Sequence, residues 1–493
     1  MSTDTATEQP TARVRDQIVE TKHQVRIGDE QISYTVTTGT LVLHEEQFNK
    51  EKDDEPSIQR PRATIFFVAY TRDDVEDRAA RPITFSFNGG PGSSSVWLHL
   101  GALGPRRVAL DPEGFPVPPP GKLVDNEYSL LDVSDLVFID PVSTGYSRAV
   151  VGQEPKQFHG FKKDIETVGE FIRLYTTRYQ RWQSPKYLAG ESYGTTRAAG
   201  LAGYLQERHG LYLNGLILIS SVLNFQTLEF EPGNDLAYLL FLPTYAATAW
   251  YHKRLSDSLQ QRKLSDLLAE VERYALEVYS VALMKGSSLS ASERRQVADV
   301  LERYTGLSRS YIEKSNLRIQ IHRFVKELLR DQRRTIGRLD SRYTGFDRNA
   351  VGEFHEHDPS LSAIMGPYSA MLNAYVRGEL GFESDLPYEI LTERVWPWSY
   401  ADFENKFVDV SETMRKAMSM NPFLRVHVAN GYYDLATPYF ATNYTFNHLE
   451  LEDEALERIS MSFYEAGHMM YVQERSLAEL KRQMVAFIQQ AQG

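Results

Sequence analysis

One short stretch, Lys186–Tyr187–Leu188–Ala189–Gly190–Glu191–Ser192–Tyr193–Gly194, constrains this chain more than any other. An apolar strand-like run ends at Gly190. Gly190–Glu191–Ser192–Tyr193–Gly194 then matches G-x-S-x-G, and Thr195 to Glu207 reads as a helix. A serine in that context sits in a strained turn between strand and helix. Side chains at the two glycines would crowd the neighbouring strand and helix. The strain lifts the Ser192 hydroxyl outward, and the helix N-terminus offers backbone N–H groups to a developing oxyanion. Taken alone, the five residues also fit an ordinary turn that happens to carry a serine.

The rest of the chain supplies a sheet for such a turn. Ile83–Phe87, Leu136–Asp140, Lys186–Gly190, Leu216–Ser220, Arg425–Ala429 and Ile459–Phe463 are short, mostly apolar runs. Such runs suit strands covered on both faces by helices. Val25–Val42 and Ala63–Tyr70 also read as strands, with a charged, exposed hairpin loop from Glu45 to Arg60. Phe161, Ile165, Val168, Ile172 and Tyr175 fall at helical spacing before the Lys186 run, as a crossover helix requires. Leu477, Leu480, Met484 and Ile488 mark a closing surface helix over Glu474–Gln490.

The expected organisation follows. Residues 1–24 are polar and read as a loose N-terminal segment. Residues 25–236 form the first part of an α/β core and 402–493 the second. Residues 237–401 form a mostly helical insertion that caps the sheet. Its helical signals include a capping box at Ser290–Glu293 and the apolar stripe Ile321, Phe324, Val325 and Leu328. A separate helical domain is the other reading. Strand material resumes at Arg425, and this favours the cap.

Composition narrows the function. The 493 residues are 42% hydrophobic and 24% charged, and the formal net charge is -12. So acidic a chain has no global attraction for nucleic acid or anionic lipid. No run of eighteen apolar residues suggests a membrane helix. Cysteine is absent, which excludes disulfides, thiolate metal sites and a cysteine nucleophile. The first residues lack the basic and apolar regions of a signal peptide.

A second motif, Asn88–Gly89–Gly90–Pro91–Gly92–Ser93–Ser94–Ser95, ends a strand. Together with Gly190–Gly194, it resembles the serine carboxypeptidase family, within the α/β-hydrolase fold. The likeness continues through Leu100–Val108, Asp125–Ser147, Asn430–Pro438 and Gly467–His468–Met469. It thus covers residues 80–230 and 425–472 in the family's order. The resemblance implies a central, mostly parallel sheet with a mostly helical cap insertion. It implies Ser192 as nucleophile, Asp434 as catalytic acid and His468 as general base. This chain order is the one the fold demands. Both Asp434 and His468 follow predicted strand ends, where open α/β sheets hold their active sites.

The resemblance further assigns the oxyanion hole to the backbone N–H groups of Gly90 and Tyr193. Asn88 and Glu191 match the residues that hold a substrate's free C-terminal carboxylate. Glu191 can do so only if a proton is shared between acid and carboxylate. Two departures stand out. Ala102 occupies the position where many relatives carry a second glutamate paired with the first, and Ser93 stands where secreted relatives have a disulfide cysteine.

Other signals are weaker. His355–Glu356–His357–Asp358 lacks the i, i+4 histidines of a zinc helix, so both histidines read as surface loop residues and no metal or cofactor is expected. Trp396, Trp398 and Tyr400 read as packing between cap and core, with a substrate pocket as the other role. The expected reaction is removal of C-terminal residues from peptides through an acyl-enzyme on Ser192. An esterase or acyltransferase on the same three residues is the alternative, and a non-catalytic binding protein a remoter one. The expected partner is a peptide or small acyl substrate, with no nucleic acid and no membrane. Homo-oligomerisation is left open. The missing cysteines and signal peptide favour the cytoplasm, although many relatives are secreted.

Overall fold

Nine strands share one continuous sheet path in the computed structural model, which describes residues 14–47 and 58–491. In chain order they are β1 (Gln17–Ile27), β2 (Glu30–Gln47), β3 (Ile58–Arg72), β4 (Ile83–Phe87) and β5 (Asp135–Ile139). Then follow β6 (Lys186–Glu191), β7 (Gly215–Ile219), β8 (Arg425–Gly431) and β9 (Ile459–Tyr464). Their spatial order is β1-β2-β3-β5-β4-β6-β7-β8-β9. From β5 to β9 every pairing is parallel, and β1, β2, β3 and β5 pair antiparallel. A two-residue strand, Arg148–Ala149, adds to β3.

The alternation of side chains fills a core on each face. Phe66, Val68 and Tyr70 of β3 enter one apolar cluster, while Ile65, Phe67 and Ala69 enter the other. Helices α1 (Phe161–Arg178) and α2 (Tyr193–His209) cover the second face. Within the stretch between β7 and β8, α3 (Leu236–Tyr251) and α4 (Pro359–Ala374) are the longest helices, and α5 (Glu474–Gln490) closes the chain. α4 and α5 cover the first face.

Two sequence expectations need correction. β1 starts at Gln17, so residues 17–24 are strand rather than loose chain. The signal was weak because β1 is an edge strand whose first residues are mostly exposed. Its pairing with β2 orders it. Residues 1–13 of the expected loose segment lie outside the described residues. Likewise β2 runs to Gln47 and β3 begins at Ile58, which shortens the expected hairpin loop at both ends. Its remainder, residues 48–57, lies outside the described residues.

Between β7 and β8 the chain is mostly helical, and Ser290 and Glu293 form the expected reciprocal cap. This stretch shares an apolar cluster with Tyr433, Leu435, Tyr439 and Phe440, which follow β8. It also contains a small hairpin, Thr335–Ile336 paired with Thr344–Gly345. The tip of that hairpin reaches the site described next.

Candidate active site

Ser192 sits between β6 and α2 with φ 60° and ψ -131°. This left-handed conformation is costly for a residue with a Cβ and persists only where the surroundings fix it. Here the Ser192 N–H donates to Ile219 O of β7 at 3.0 Å. A side chain on Gly190 would collide with the Gly194 carbonyl. Tyr193 is the first residue of α2, so its N–H has no partner within the helix. A Cβ on Gly89 would stand 2.5 Å from that nitrogen, so the Asn88–Gly90 loop lies directly against the turn. Gly90, at φ 103°, is exposed beside it.

His468 follows β9, and Asp434 follows β8. His468 Nδ1 lies 2.7 Å from Asp434 Oδ2. Asp434 is buried and fully engaged. Its Oδ1 accepts from the Ala436 and Thr437 N–H groups, and its Oδ2 also accepts from the Thr437 hydroxyl at 2.6 Å. Burial pulls the His468 pKa down, but the Asp434 carboxylate beside it outweighs that and the net shift is upward.

The hairpin tip between β7 and β8 holds the loops that carry Asp434 and His468. The His468 N–H donates to Leu339 O at 2.7 Å, and the Leu435 N–H donates to Arg338 O at 3.0 Å. The Ser341 N–H donates to Tyr433 O at 2.9 Å. Asp340, itself paired with Arg342 at 2.7 Å, accepts from the Gly467 N–H. The other end of His468 is fixed by the Ser220 hydroxyl, which donates to its carbonyl at 2.6 Å. No sequence motif points to residues 338–341, because Arg338, Leu339 and Ser341 act through main-chain bonds open to many side chains and Asp340 meets Gly467 across a long sequence separation. We expect Asp340→Ala to lower kcat by about tenfold to a hundredfold, since small displacements of reacting groups are that costly. Steady-state kinetics beside circular dichroism checks this; unchanged kcat would free the base from Asp340.

Ser192, His468, Asn88, Gly90, Glu191 and Tyr193 all border one cavity of about 770 Å³, and Asp434 lies behind His468. Asn88 and Glu191 are buried at its wall. The Asn88 Oδ1 accepts from the Leu98 N–H, while its buried Nδ2 has no hydrogen-bond partner among the described residues. Burial raises the Glu191 carboxyl to about 7, against the opposing pull of His468 and of the Tyr471 hydroxyl. Sequence reasoning missed Tyr471.

The remaining candidates divide. His355 is not a surface residue: it is half-buried and borders the cavity with His322 and Arg338, whereas His357 is exposed. A helix start at Pro359 draws the loop inward, with Asp358 as its cap. Trp398 packs edge-on against Tyr193 at 5.7 Å, and Tyr400 packs on Phe225. Trp396 instead borders the cavity. Ser93 accepts from Trp97 Nε1 at 2.9 Å and donates to neighbouring carbonyls, so hydrogen bonds occupy the expected cysteine position.

A mostly parallel sheet carrying a strained serine turn after a central strand, with an aspartate and a histidine after the next strands but one and two, defines the α/β-hydrolase fold. The chain belongs to the serine carboxypeptidase family, whose model matches residues 57–487. It is similar to the pheromone-processing carboxypeptidase KEX1 of Saccharomyces cerevisiae, 36% identical over 158 residues, which are 31% of this chain and 20% of that protein. It is also similar to serine carboxypeptidase-like 36 of Arabidopsis thaliana, 26% identical over 251 residues, 48% of this chain and 49% of that protein. The chain thus spans a fifth to a half of the length of these relatives. Among solved structures, the prohormone-processing carboxypeptidase KEX1(delta)p of Saccharomyces cerevisiae shares the fold. Its TM-score is 0.55 at 17% identity, covering 92% of each chain.

Proposed function

We propose that the protein removes single residues from the C-termini of peptides by acyl transfer through Ser192. The observation that carries this reading is the buried pair Asn88 and Glu191 beside Ser192. A buried amide donor that faces Glu191 without a well-formed hydrogen bond among the described residues, and a carboxyl raised to about 7, suit a carboxylate ligand. A site for esters alone has no use for them.

In this reading the last peptide bond lies across Ser192 with the terminal carboxylate on Asn88 and protonated Glu191. Ser192 Oγ attacks the carbonyl carbon and passes its proton to His468 Nε2. Asp434 holds the imidazole through Nδ1 and stabilises its charged form. The N–H groups of Gly90 and Tyr193 receive the oxyanion. The C–N bond breaks as His468 protonates the leaving amine. Water then attacks the acyl ester, His468 takes its proton, and that proton returns to Ser192 as the peptide acid leaves.

The pH profile follows from two opposed demands. His468 must be neutral to act as base, so its raised pKa cuts activity on the acid side. Glu191 must be protonated to meet a carboxylate, so activity on free-acid peptides falls as pH rises through about 7. Both groups lie close enough to titrate as a coupled pair. Amidating the substrate removes the ligand this pocket serves. We expect it to lower kcat/KM by about tenfold to a hundredfold, the cost of leaving buried polar groups unpaired. Glu191→Gln should flatten the alkaline fall. The comparison is kcat/KM from pH 4 to 8 on free-acid and amidated forms of one peptide. Equal rates at every pH would move the assignment to an esterase or acyltransferase.

A further inference from the structure

Among the described residues no second acid is hydrogen-bonded to Glu191, and Ala102 occupies the position where the resemblance expects one. What stands against Glu191 is Tyr471. The Tyr471 hydroxyl donates to Glu191 Oε2 at 2.5 Å, and both residues are buried. Tyr471 lies in the short turn Met470–Val472, three residues after His468.

The neighbouring π-helical turn, His99–Leu103, makes room for this ring. A Cβ on Gly101 would stand 2.6 Å from Tyr471 Cε2 and 2.6 Å from the Tyr368 hydroxyl. Gly101 and Ala102 are buried with no side chain larger than a methyl, and Tyr471, Tyr368 and Ala102 share one apolar cluster. The small residues and the tyrosine therefore fit each other as a set.

We propose that Tyr471 is the positioning partner of Glu191, a phenol standing where no second acid does, and that it sets the pH above which free C-terminal carboxylates are refused. This rests on the carboxylate-binding reading of Asn88 and Glu191.

A phenol and a second carboxyl act differently. Two acids can share one proton, and each raises the other's affinity for it. Burial pushes the Tyr471 pKa well up, so it keeps its proton and only donates. Donation to Oε2 favours the ionised carboxylate and leaves Oε1 to carry the proton that a substrate carboxylate accepts. The other groups facing Glu191 are few. His468 after β9 and the Asn88 amide after β4 favour its ionised form, and Asp434 after β8 opposes it. The Tyr368 phenol on α4 also lies within its field. Burial outweighs them all, and Tyr471 limits how far it raises the acid.

Tyr471→Phe tests this. It keeps the ring in its slot and removes only the donor. On a free-acid peptide, the alkaline limb of kcat/KM should move up by about one pH unit, the scale of a lost hydrogen bond to a charged group. On a peptide ester with a blocked C-terminus, the pH profile should not move. Combining Tyr471→Phe with Glu191→Gln should abolish the shift. Tyr471→3-fluorotyrosine, a stronger donor of nearly the same size, should move the limb down, and this holds the test open if the phenylalanine variant is unstable. A limb that stays in place in both variants overturns the proposal. So does an equal shift on free-acid and ester substrates, which would mean that Tyr471 acts on His468. A wild-type enzyme that treats free-acid and amidated peptides alike would instead defeat the underlying carboxylate reading, and is seen before any variant is made.

Discussion

Replacing Ser192 with alanine should leave the protein folded and reduce kcat by about 10⁴-fold to 10⁶-fold, as removal of a triad nucleophile does. The turn is shaped by its surroundings rather than by the hydroxyl. The Ser192 main chain is tied to Ile219, and the Gly190–Gly194 approach does not involve the side chain. Alanine accepts the same backbone position at a cost comparable to that of serine. Without Oγ there is no atom to form the acyl ester, and His468, held by Asp434, Leu339 and Ser220, has no hydroxyl to activate. A fluorophosphonate probe should label the wild type with one equivalent and the variant not at all. Stoichiometric labelling of the variant would place the nucleophile elsewhere.

The second large effect concerns a buried pair beside the proposed oxyanion hole. Arg197 of α2 donates through Nε to Asp164 Oδ2 at 2.8 Å and through a terminal nitrogen to the Asn88 carbonyl at 2.5 Å. Its guanidinium lies over the rings of Tyr193 and Phe87, 5.3 and 5.2 Å from their centroids. One side chain therefore ties the Asn88–Gly90 loop to the helix that begins at Tyr193. Arg197→Met keeps much of the volume but takes the cation from Asp164, leaving it the Tyr193 hydroxyl at 3.3 Å, and takes a donor from the Asn88 carbonyl. Breaking one side of a fully buried pair costs about 3–5 kcal/mol. Activity should fall as well, because the two donors of the hole lose their common brace.

The pH dependence of that loss has a definite sign. Burial already raises the Asp164 pKa despite Arg197, and without Arg197 it rises further. A group whose folded pKa exceeds its unfolded value keeps the fold stable below the unfolded pKa and weakens it as pH rises through the folded one. The gap between wild type and variant should therefore widen from acid to neutral pH. Urea unfolding of both proteins at several pH values measures it. A constant small gap would mean that the pair is dispensable.

These residues also show what a sequence can and cannot disclose. The inner strands of the parallel half were legible because each is a short, mostly apolar run buried on both faces, and Ile83–Phe87 coincides with β4. Ser192 was legible because G-x-S-x-G sits between such a run and a helix. Asp434 and His468 carried little signal of their own and emerged only through the wider resemblance. β1 was obscured because its first residues face solvent on an edge. The hairpin tip at 338–341 was invisible because three of its contacts are main-chain bonds and the fourth, from the Gly467 N–H to Asp340, joins residues far apart in sequence. Tyr471 and Arg197 were hidden for another reason: each meets its partner across a long sequence separation, and neither belongs to a motif that spacing can pick out. His355 read as surface because a local pattern does not reveal which way a loop is drawn by the helix behind it.

In the proposed function, Ser192 chemistry is aimed at the free end of a peptide. Mass spectrometry of a defined ten-residue peptide during digestion tests this most directly. A carboxypeptidase should give a ladder of products shortened one residue at a time from the C-terminus, with free amino acids released. The ladder should be strongly slowed when the C-terminus is amidated, and absent with Ser192→Ala. Internal cleavage, or intact peptide under conditions where the same preparation hydrolyses simple esters, would contradict it.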